Sequence, residues 1–320
     1  MNGIQPQGKP RIAVLIPCYN EERAIGTVVA DFRQALPEAA IFIYDNNSRD
    51  RTMEVAEAAG AVVRREGLQG KGHVVRRMFA DVEADAYVLV DGDATYHAPA
   101  APKMIRRLFD EQLDMVVACR IADEAAAYRP GHRFGNAVLT GFVARLFGNR
   151  FRDILSGYRV FSRRFVKSFP ALAHGFEIET ELTVHALGLG MPIAEIDTPY
   201  AARPIGSVSK LNTWRDGFRI LLTILGLFKN ERPLAFFSLV FALLAMIAVL
   251  LATPIVVTYL QTGLVPRLPT AVLATGLMLL AFLSLASGFV LDTVTRGRRE
   301  LKRLAYLAVA APARPSNRST

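Results

Sequence analysis

The sequence predicts an α/β domain with a mostly parallel sheet and flanking helices, followed by an interfacial helix and a two-helix transmembrane hairpin. Two observations predict this order. Short apolar runs rich in β-branched residues alternate with segments of helical periodicity in the first two thirds of the chain, which is typical of parallel strands joined by crossover helices. The last third contains two long stretches without a charged residue. The mean hydropathy of +0.25 is high for a soluble protein, and these two stretches account for it.

Five apolar runs are the expected strands of the sheet. They are residues 11–17, 40–45, 61–64, 86–91 and 114–119. The segments between them, such as residues 22–36 and 50–60, have helical spacing. Four of the strands end in the polar stretches "PCYNEE", "DNNSRD", "DGDATY" and "CR". Because ligands bind outside the carboxyl ends of the strands in open α/β sheets, we expect a binding site along this edge.

Residues 234–260 and 268–291 each exceed the roughly 20 residues that carry a helix across the hydrocarbon core of a bilayer. The alternative is two buried helices of a soluble core, although such helices normally keep one polar face. Lysines and arginines flank both stretches, whereas the connection between them contains only Arg267. The positive-inside rule therefore predicts a multi-pass protein of the cytoplasmic membrane, with two spans and with the α/β domain and both termini in the cytoplasm.

The segment before the first span has an amphipathic pattern. Trp214, Phe218 and Leu221 lie at helical spacing, with Arg215 and Arg219 beside them. This pattern predicts a helix in the membrane interface, and a core helix is the alternative. The predicted domains are residues 1–212 (the cytoplasmic α/β domain), 213–230 (the interfacial helix), 234–293 (the hairpin) and 294–320 (a basic cytoplasmic tail).

The formal net charge of +9 raises the question of a nucleic-acid partner. Much of the basic surplus lies beside the two spans, where anionic lipid headgroups are a simpler partner. The chain has no nucleic-acid-binding motif, so we expect a lipid bilayer as partner and no nucleic acid. Cys18 and Cys119 are far apart in sequence and lack metal-ligand spacing, and we expect two reduced thiols.

Asp91 and Asp93 follow the fourth strand, one residue apart. In an extended segment the side chains of residues i and i+2 point the same way, so both carboxylates can address one ligand. Paired carboxylates suit Mg²⁺ or Mn²⁺, which complete their coordination with phosphate oxygens and water. A metal at this position would bridge a diphosphate and stabilise its charge as it departs. The alternative for an isolated Asp-x-Asp sequence is a solvated turn.

Four motifs in order connect these residues to a known family. The stretches "VLIPCYNEE", "DNNSRDRT", "GKG" and "VDGDATY" resemble the P-x-Y-N-E, D-D-x-S-x-D-x-T, Gly-Lys-Gly and D-x-D motifs of family 2 glycosyltransferases of the GT-A fold. The later stretches "RDILSGYRVFSR", "GFEIETEL" and "ARPIGSVSKL" are similar to motifs of the polyprenyl-phosphate sugar synthases within that family. This group contains dolichyl-phosphate mannose synthase and bacterial undecaprenyl-phosphate glucosyltransferases. The resemblance covers residues 12 to about 211.

The resemblance implies a GT-A nucleotide-diphospho-sugar transferase that moves a sugar, with inversion, from a UDP- or GDP-linked donor to a polyprenyl phosphate. It implies Mg²⁺ or Mn²⁺ held by Asp91 and Asp93. The implied donor-binding residues are Pro17, Tyr19, Glu21, Asp45, Asn46, Lys71, Asp91, Gly92 and Asp93. Asn46 stands where the family has a second aspartate, and its amide can hydrogen-bond a ribose or base but adds no charge. Relatives with such hairpins can assemble as tetramers, so a homo-oligomer is an expected state.

The basic residues indicate a second anion beside the donor. Guanidinium groups bind phosphate through two parallel hydrogen bonds, and Arg120, Arg133 and Arg159 lie in or beside the predicted strand ends and motifs. A phosphate monoester is mostly dianionic at neutral pH and needs little deprotonation before it attacks. The predicted acceptor-phosphate residues are Arg120, Arg133, Arg203, Ser207 and Lys210, and the predicted catalytic residues are Asp91, Asp93, Asp153 and Arg133. The alternative is a set of scattered surface cations.

Other functions fit parts of the sequence. A GT-A glycosyltransferase with another lipid or glycan acceptor is the main alternative. "VLVDGDAT" also fits the nucleophile loop of haloacid-dehalogenase-like phosphatases, although there it stands near the start of the chain. A processive polysaccharide synthase normally carries Q-x-x-R-W, whereas Trp214 stands in "NTWRD". A membrane anchor without activity is the non-enzymatic alternative, and the Asp91 and Asp93 pair argues against it.

Overall fold

In a computed structural model of the protein, residues 9–121, 140–145, 151–175, 177–201 and 213–312 are described, without the side chains of residues 213–221. The strands in this part are β1 (Ile12–Cys18), β2 (Ala40–Asp45), β3 (Val62–Arg65), β4 (Ala86–Leu89), β5 (Met115–Ile121), β6 (Arg159–Ser162) and β7 (Ile193–Pro199). The helices are α1 (Ile25–Ala35), α2 (Thr52–Ala58), α3 (Lys71–Asp81), α4 (Ala101–Asp110), α5 (Arg163–Ser168), α6 (Ile178–Leu189), α7 (Thr213–Glu231), α8 (Pro233–Thr262) and α9 (Leu268–Leu307), with a short 3₁₀ helix at Ala98–Ala100.

The strands form one sheet in the order β3-β2-β1-β4-β6-β5-β7. β6 runs antiparallel to both of its neighbours, and the other pairs are parallel. The predicted fold class, a mostly parallel sheet with flanking helices followed by two long apolar helices, is therefore confirmed. The five predicted strands all occur, within three residues of their predicted bounds at each end. The sequence did not predict β6 and β7, because β6 begins with a buried arginine and β7 contains Glu195 and Asp197.

The helices that cover the sheet follow apolar spacing. In α1 the buried side chains are Ile25, Val28, Val29 and Phe32, at positions i, i+3, i+4 and i+7. These side chains belong to the buried core that lies against β1, β2 and β4. The helix ends at Ala35, before Pro37, since a residue that precedes proline is pushed out of the helical region.

The strand register gathers the carboxyl ends of β1, β2 and β4 at one edge. Cys18 pairs with Asp45 at the ends of β1 and β2, and Leu15 pairs with Leu89 at the end of β4. Because β6 is antiparallel, its first residue, Arg159, pairs with the last residue of β4. The segment just before β6 therefore reaches the same edge of the sheet as the segments that follow β1, β2 and β4.

The chain divides into two compact units. One comprises Met1–Gly217 and Lys302–Thr320, and the other comprises Phe218–Leu301. In the second unit α8 and α9 pack on each other, since a Cβ atom on Gly288 would lie 2.9 Å from that of Phe237 and the Ser284 hydroxyl donates to the Phe237 carbonyl at 3.2 Å. Both helices are long and apolar enough to cross a membrane, and most of their apolar side chains are exposed.

Candidate active site

The loop after β1 is joined to the loop after β2 by hydrogen bonds. The backbone N–H of Asn20 donates to Ser48 Oγ at 2.8 Å, and the backbone N–H of Glu21 donates to Thr52 Oγ1 at 2.8 Å. Three residues beside this junction of the two loops are half-buried: Pro17, Tyr19 and Glu21. These contacts fix the position of the predicted donor-binding residues of β1 relative to those of β2.

Asp45, the last residue of β2, is almost fully buried. Its Oδ2 accepts the backbone N–H of Ser48 at 3.0 Å. Its Oδ1 is enclosed, and no residue in the described part of the chain donates a hydrogen bond to it. A buried carboxylate oxygen without a donor is costly, so this atom can gain a hydrogen bond from an N–H or O–H group of a ligand after a small rearrangement.

Asn46, by contrast, uses its amide within the protein. Its Nδ2 donates to the carbonyls of Glu66 and Leu68 at 3.0 and 2.7 Å. Its Oδ1 accepts the backbone N–H of Gly70 at 2.7 Å and Gln69 Nε2 at 3.3 Å. Both N–H donors and the acceptor oxygen of the Asn46 side chain are therefore engaged. Asn46 has no hydrogen-bonding capacity left for the expected contact with the nucleotide. Asn46 holds the loop before α3 in place instead.

Asp91 and Asp93 follow the end of β4, in a stretch that bends at residues 92–94. The expected extended conformation is wrong here, since the backbone bends at residues 92–94, and Ala94 has a φ of 57°. Asp93 is buried, and its Oδ1 accepts Thr95 Oγ1 at 2.6 Å and the backbone N–H of Thr95 at 3.3 Å. A Cβ atom on Gly92 would lie 2.8 Å from Cys18 Sγ, so glycine allows this turn to pack on β1. The two carboxylates are thus held by a tight turn rather than by strand alternation.

The segment before β6 packs directly against Asp91. A Cβ atom on Gly157 would lie 2.3 Å from Asp91 Oδ2, so any larger residue here would displace the Asp91 carboxylate. The backbone N–H of Gly157 donates to Tyr96 Oη at 2.8 Å. Burial of Tyr96 raises the pKa of its hydroxyl, which therefore stays protonated and accepts this bond as a neutral group. Gly157 of the "SGYR" stretch thus brings the Asp91 carboxylate and the start of β6 together.

Lys71, the first residue of α3, places its ammonium group between two carboxylates. Its Nζ donates to Asp91 Oδ1 and to Glu179 Oε1. The Lys71 and Glu179 side chains are 9% and 8% exposed, whereas that of Asp91 is 31% exposed. Burial alone would lower the pKa of Lys71, but the carboxylates of Asp91 and Glu179 outweigh it and raise this pKa, so the amine is charged. We call these three side chains the charged triad.

The glycines on either side of Lys71 allow the loop to approach another segment closely. A Cβ atom on Gly70 would lie 2.2 Å from the carbonyl oxygen of His174, and one on Gly72 would lie 2.1 Å from that of Ala173. The backbone N–H of Gly72 donates to the His174 carbonyl at 3.1 Å. Gly70 also has a φ of 135°, a conformation that favours glycine. The "GKG" sequence is therefore explained by packing as well as by conformation.

Arg120 and Asp153 form a second ion pair, near the end of β5. Arg120 Nε and Nη2 donate to the two oxygens of Asp153 at 2.7 and 2.8 Å. Burial would raise the pKa of the Asp153 carboxyl, but the hydrogen bonds and charge of Arg120 hold this pKa below its usual value. The Arg120 guanidinium also lies 5.5 Å from the ring centroid of Tyr200. This pair fixes the segment that leads into β6.

Comparison with known proteins identifies the family. The sequence model "Glycosyl transferase family 2" matches residues 13–169. The glycosyltransferase AglJ of Haloferax volcanii is 37% identical over 233 residues, which are 71% of this chain and 75% of that protein. The chain belongs to glycosyl transferase family 2. A second Haloferax volcanii protein, a dolichyl-phosphate hexose transferase, is 29% identical over 221 residues, or 69% of this chain and 95% of that protein.

Among solved structures, glucosyl-3-phosphoglycerate synthase from Mycobacterium tuberculosis aligns with a TM-score of 0.55. The alignment has 22% sequence identity and covers 68% of this chain and 79% of that one. That enzyme was solved with Mn²⁺, UDP-glucose and phosphoglyceric acid. At this identity the likeness shows the fold, which is the GT-A fold that the motifs predicted. Membership of family 2 also excludes the alternative of a haloacid-dehalogenase-like phosphatase.

The structure brings together the predicted family 2 donor residues from four segments of the chain. The ends of β1, β2 and β4 and the start of α3 supply them, as the motif order predicted. Arg133, Arg203, Ser207 and Lys210, which were predicted to bind the acceptor phosphate, lie outside the described residues. Arg120 lies within them, in the ion pair with Asp153 described above.

Arg159, which the sequence grouped with the anion-binding cations, has a different role. Its side chain is fully buried. The guanidinium donates to the carbonyls of Ser156 and Ile154 at 2.9 and 2.5 Å and to Thr183 Oγ1 at 2.8 Å. Because its donors are used inside the domain, Arg159 holds the segment before β6 onto α6 and does not face an acceptor.

Glu179 is the site residue that sequence reasoning missed. The "GFEIETEL" stretch was matched to a motif of the polyprenyl-phosphate sugar synthases, without a role for any one glutamate. In the structure Glu177 is exposed, Glu181 accepts the backbone N–H groups of Leu172 and Ala173 at 3.0 and 2.8 Å, and Glu179 is buried. A signal was present, since Glu179 lies three residues before Leu182 on the buried face of α6.

The carboxylates at this edge fit a divalent cation of the Mg²⁺ type. Within the part of the chain that the structure describes, no group of three acidic, histidine or cysteine side chains is placed to hold a metal. Mg²⁺ is usually bound by one or two carboxylates and completes its shell with water and substrate phosphates. A partly exposed Asp91 and a turn-held Asp93 would suit such a cation, whose other positions would be open to water and a diphosphate.

Proposed function

We propose that this family 2 glycosyltransferase moves a sugar from a nucleotide-diphosphate donor to a polyprenyl phosphate at a membrane surface. The observation that carries the proposal is the presence, in one chain, of a GT-A domain with its carboxylates at the sheet edge and of two long apolar helices. The similarity to a dolichyl-phosphate hexose transferase supports the lipid acceptor.

The donor end of the site is assigned to the residues at the sheet edge. The unsatisfied Oδ1 of Asp45 suits an N–H group of a nucleotide base. The adjoining junction between the loops after β1 and β2 is lined by Pro17, Tyr19 and Glu21. Asp91 and Asp93 would hold Mg²⁺ or Mn²⁺, which neutralises charge on the diphosphate leaving group when bound. The Lys71 ammonium, beside Asp91, adds positive charge on the same side. These residues bind and orient the donor.

The acceptor end needs cations more than it needs a base. A lipid phosphate with a second pKa near 6 is already mostly dianionic at neutral pH, so its oxygen can attack the anomeric carbon without a strong base. A new C–O bond then forms to the lipid phosphate as the bond to the nucleotide diphosphate breaks, and a single displacement inverts the anomeric centre. Arg120, Arg133, Arg203, Ser207 and Lys210 are the residues we propose for the acceptor phosphate. Asp153 orients Arg120 through two hydrogen bonds.

A comparison of two acceptors tests this function. The full chain in detergent should transfer labelled sugar to a short polyprenyl phosphate and not to the polyprenol of the same length, because the alcohol lacks both the charge and the ready nucleophile. Arg203→Ala should remove charge-assisted hydrogen bonds of roughly 1.5–3 kcal/mol and raise the KM for the lipid, with little change in donor binding. Arg106→Ala, at an exposed position on α4, is the matched control. Equal transfer to the alcohol would refute the phosphate acceptor.

The proposed membrane arrangement gives a separate prediction. With both termini in the cytoplasm, a cysteine introduced in the loop between α8 and α9, at Gly263, should react with a membrane-impermeant thiol reagent only from the opposite side of the membrane. Cys18 and Cys119 are buried and should give little background. A cysteine at Ser316, in the predicted cytoplasmic tail, is the control and should react only after the cells are opened. Labelling of both positions from the cytoplasm would contradict a spanning hairpin.

A further inference from the structure

Glu179 is a buried charged residue that was given no role in the function proposed above. It lies on α6, is buried, and contacts the Lys71 ammonium, which also contacts Asp91. We propose that Glu179 is a positioning residue. It holds the Lys71 ammonium in place when the Asp91 carboxylate leaves the lysine and binds a divalent cation. This inference rests on the proposed metal role of Asp91.

The arrangement of charges supports this role. The charged triad consists of one ammonium and two carboxyl groups. Burial raises the pKa of Glu179 and the charge of Lys71 opposes this shift; with both carboxyl groups ionised, the formal charge of the triad is −1. Asp91 is its most exposed member, and a cation from solvent meets this carboxylate first. A cation at Asp91 competes with Lys71 for the same oxygen atoms. If Glu179 were absent, Lys71 would become a buried ammonium without its second carboxylate, which is strongly unfavourable.

The backbone holds Lys71 and Glu179 as one structural unit. The residues on either side of Lys71 pack against the carbonyls of Ala173 and His174. The backbone N–H of Ala173 in turn donates to Glu181 Oε2 at 2.8 Å, one half-turn along α6 from Glu179. Through this connection the start of α3 is tied to the helix that carries Glu179. The contact between Lys71 and Glu179 can therefore persist while the Asp91 side chain changes partner.

Two substitutions should change metal affinity in opposite directions. Glu179→Gln keeps the size of the side chain and makes the triad neutral, so Mn²⁺ should bind roughly 10- to 100-fold more weakly, the scale on which a neighbouring charge shifts an ionic equilibrium. Lys71→Met removes the competing cation, so Mn²⁺ should bind more tightly by a similar factor. Glu177→Gln makes the same charge change at an exposed position of the same helix region and should leave the affinity within about twofold.

The measurement is Mn²⁺ binding by electron paramagnetic resonance, on the full chain in detergent, with no nucleotide sugar or lipid present. Opposite shifts in the Glu179→Gln and Lys71→Met variants would support the inference, because a merely structural defect weakens binding in both. Should Glu179→Gln fail to fold, tighter binding by Lys71→Met would still support it and unchanged binding would overturn it. If folded Glu179→Gln bound Mn²⁺ with wild-type affinity, the proposed role of Glu179 would be overturned, and the metal role of Asp91 would stand. No Mn²⁺ binding by the wild-type chain would overturn both this inference and the metal role in the proposed function.

Discussion

Replacing Asp93 with asparagine is expected to abolish sugar transfer while the protein stays folded. The amide oxygen of asparagine can still accept the Thr95 hydroxyl, so the turn after β4 should persist, but a carboxylate charge is lost at the proposed metal site. Loss of metal-assisted charge stabilisation is worth several kcal/mol, and we expect turnover to fall by roughly a thousandfold or more. Transfer of labelled sugar to a polyprenyl phosphate measures this effect.

Chelation provides the companion experiment. Removal of divalent cations from the wild-type enzyme should reduce transfer as strongly as Asp93→Asn does, and added Mn²⁺ or Mg²⁺ should restore the wild-type enzyme only. Asp110→Asn, at the exposed end of α4, makes the same chemical change away from the site and should keep its activity. Near-normal turnover of Asp93→Asn, or of the wild-type enzyme in chelator, would exclude metal dependence.

Arg120→Ala is expected to destabilise the protein by about 3–5 kcal/mol, because it leaves the buried Asp153 carboxylate without its bidentate partner. Pulse proteolysis in urea, on the full chain in detergent, measures this loss. The double variant Arg120→Met/Asp153→Leu should recover most of the stability, since a buried ion pair replaced by apolar side chains is often close to neutral. It should still lack transfer activity, because Arg120 and Asp153 are both assigned to the site. If Arg120→Ala were as stable as the wild-type protein, the ion pair between Arg120 and Asp153 would contribute little to the stability of the fold.

The same ion pair gives a pH dependence of defined sign. The pKa of Asp153 is lower in the folded protein than in the unfolded chain, so the unfolded state binds its proton first as the pH falls. The stabilisation from this carboxylate is therefore fully present above the ordinary aspartate pKa of about 4 and is lost as the pH falls through the lower, folded value. The stability difference between wild type and Arg120→Ala should narrow over that acid range.

The sequence predicted the elements whose side chains follow a simple pattern. The strands β1 to β5 are continuous apolar runs, and α8 and α9 are uncharged over more than twenty residues, so hydrophobic periodicity and length were sufficient. β6 was not predicted because Arg159 at its start is charged, and only the three-dimensional fold supplies the carbonyls that satisfy it. The conformation of the turn at Asp91 and Asp93 was also missed, since it depends on packing between Gly92 and Cys18.

For the site, the motifs predicted which segments meet but not which side chains would be engaged within the protein. Asp45 and Asn46 are neighbours of similar shape, yet one keeps an unsatisfied oxygen and the other is saturated by the loop before α3. The choice depends on the position of a loop about twenty residues away, which no local pattern encodes. The contact between Lys71 and Glu179 is of the same kind, because the two residues come from separate helices.

This contact has a consequence for synthesis of the chain on the ribosome. Lys71 and Glu179 are 108 positions apart in sequence, and the region that matches the family ends at residue 169, before α6 begins. A nascent polypeptide thus contains the whole region matched by the family model before Glu179, the second partner of Lys71, has been made. At 5–20 residues per second, roughly 5–20 s separate the emergence of the lysine from that of its second partner. Of the two carboxylates that contact Lys71 in the folded protein, Asp91 is made first, 20 residues after the lysine. Premature release after residue 169 and before residue 179 would yield a chain that carries the whole matched region but lacks the second carboxylate partner of Lys71.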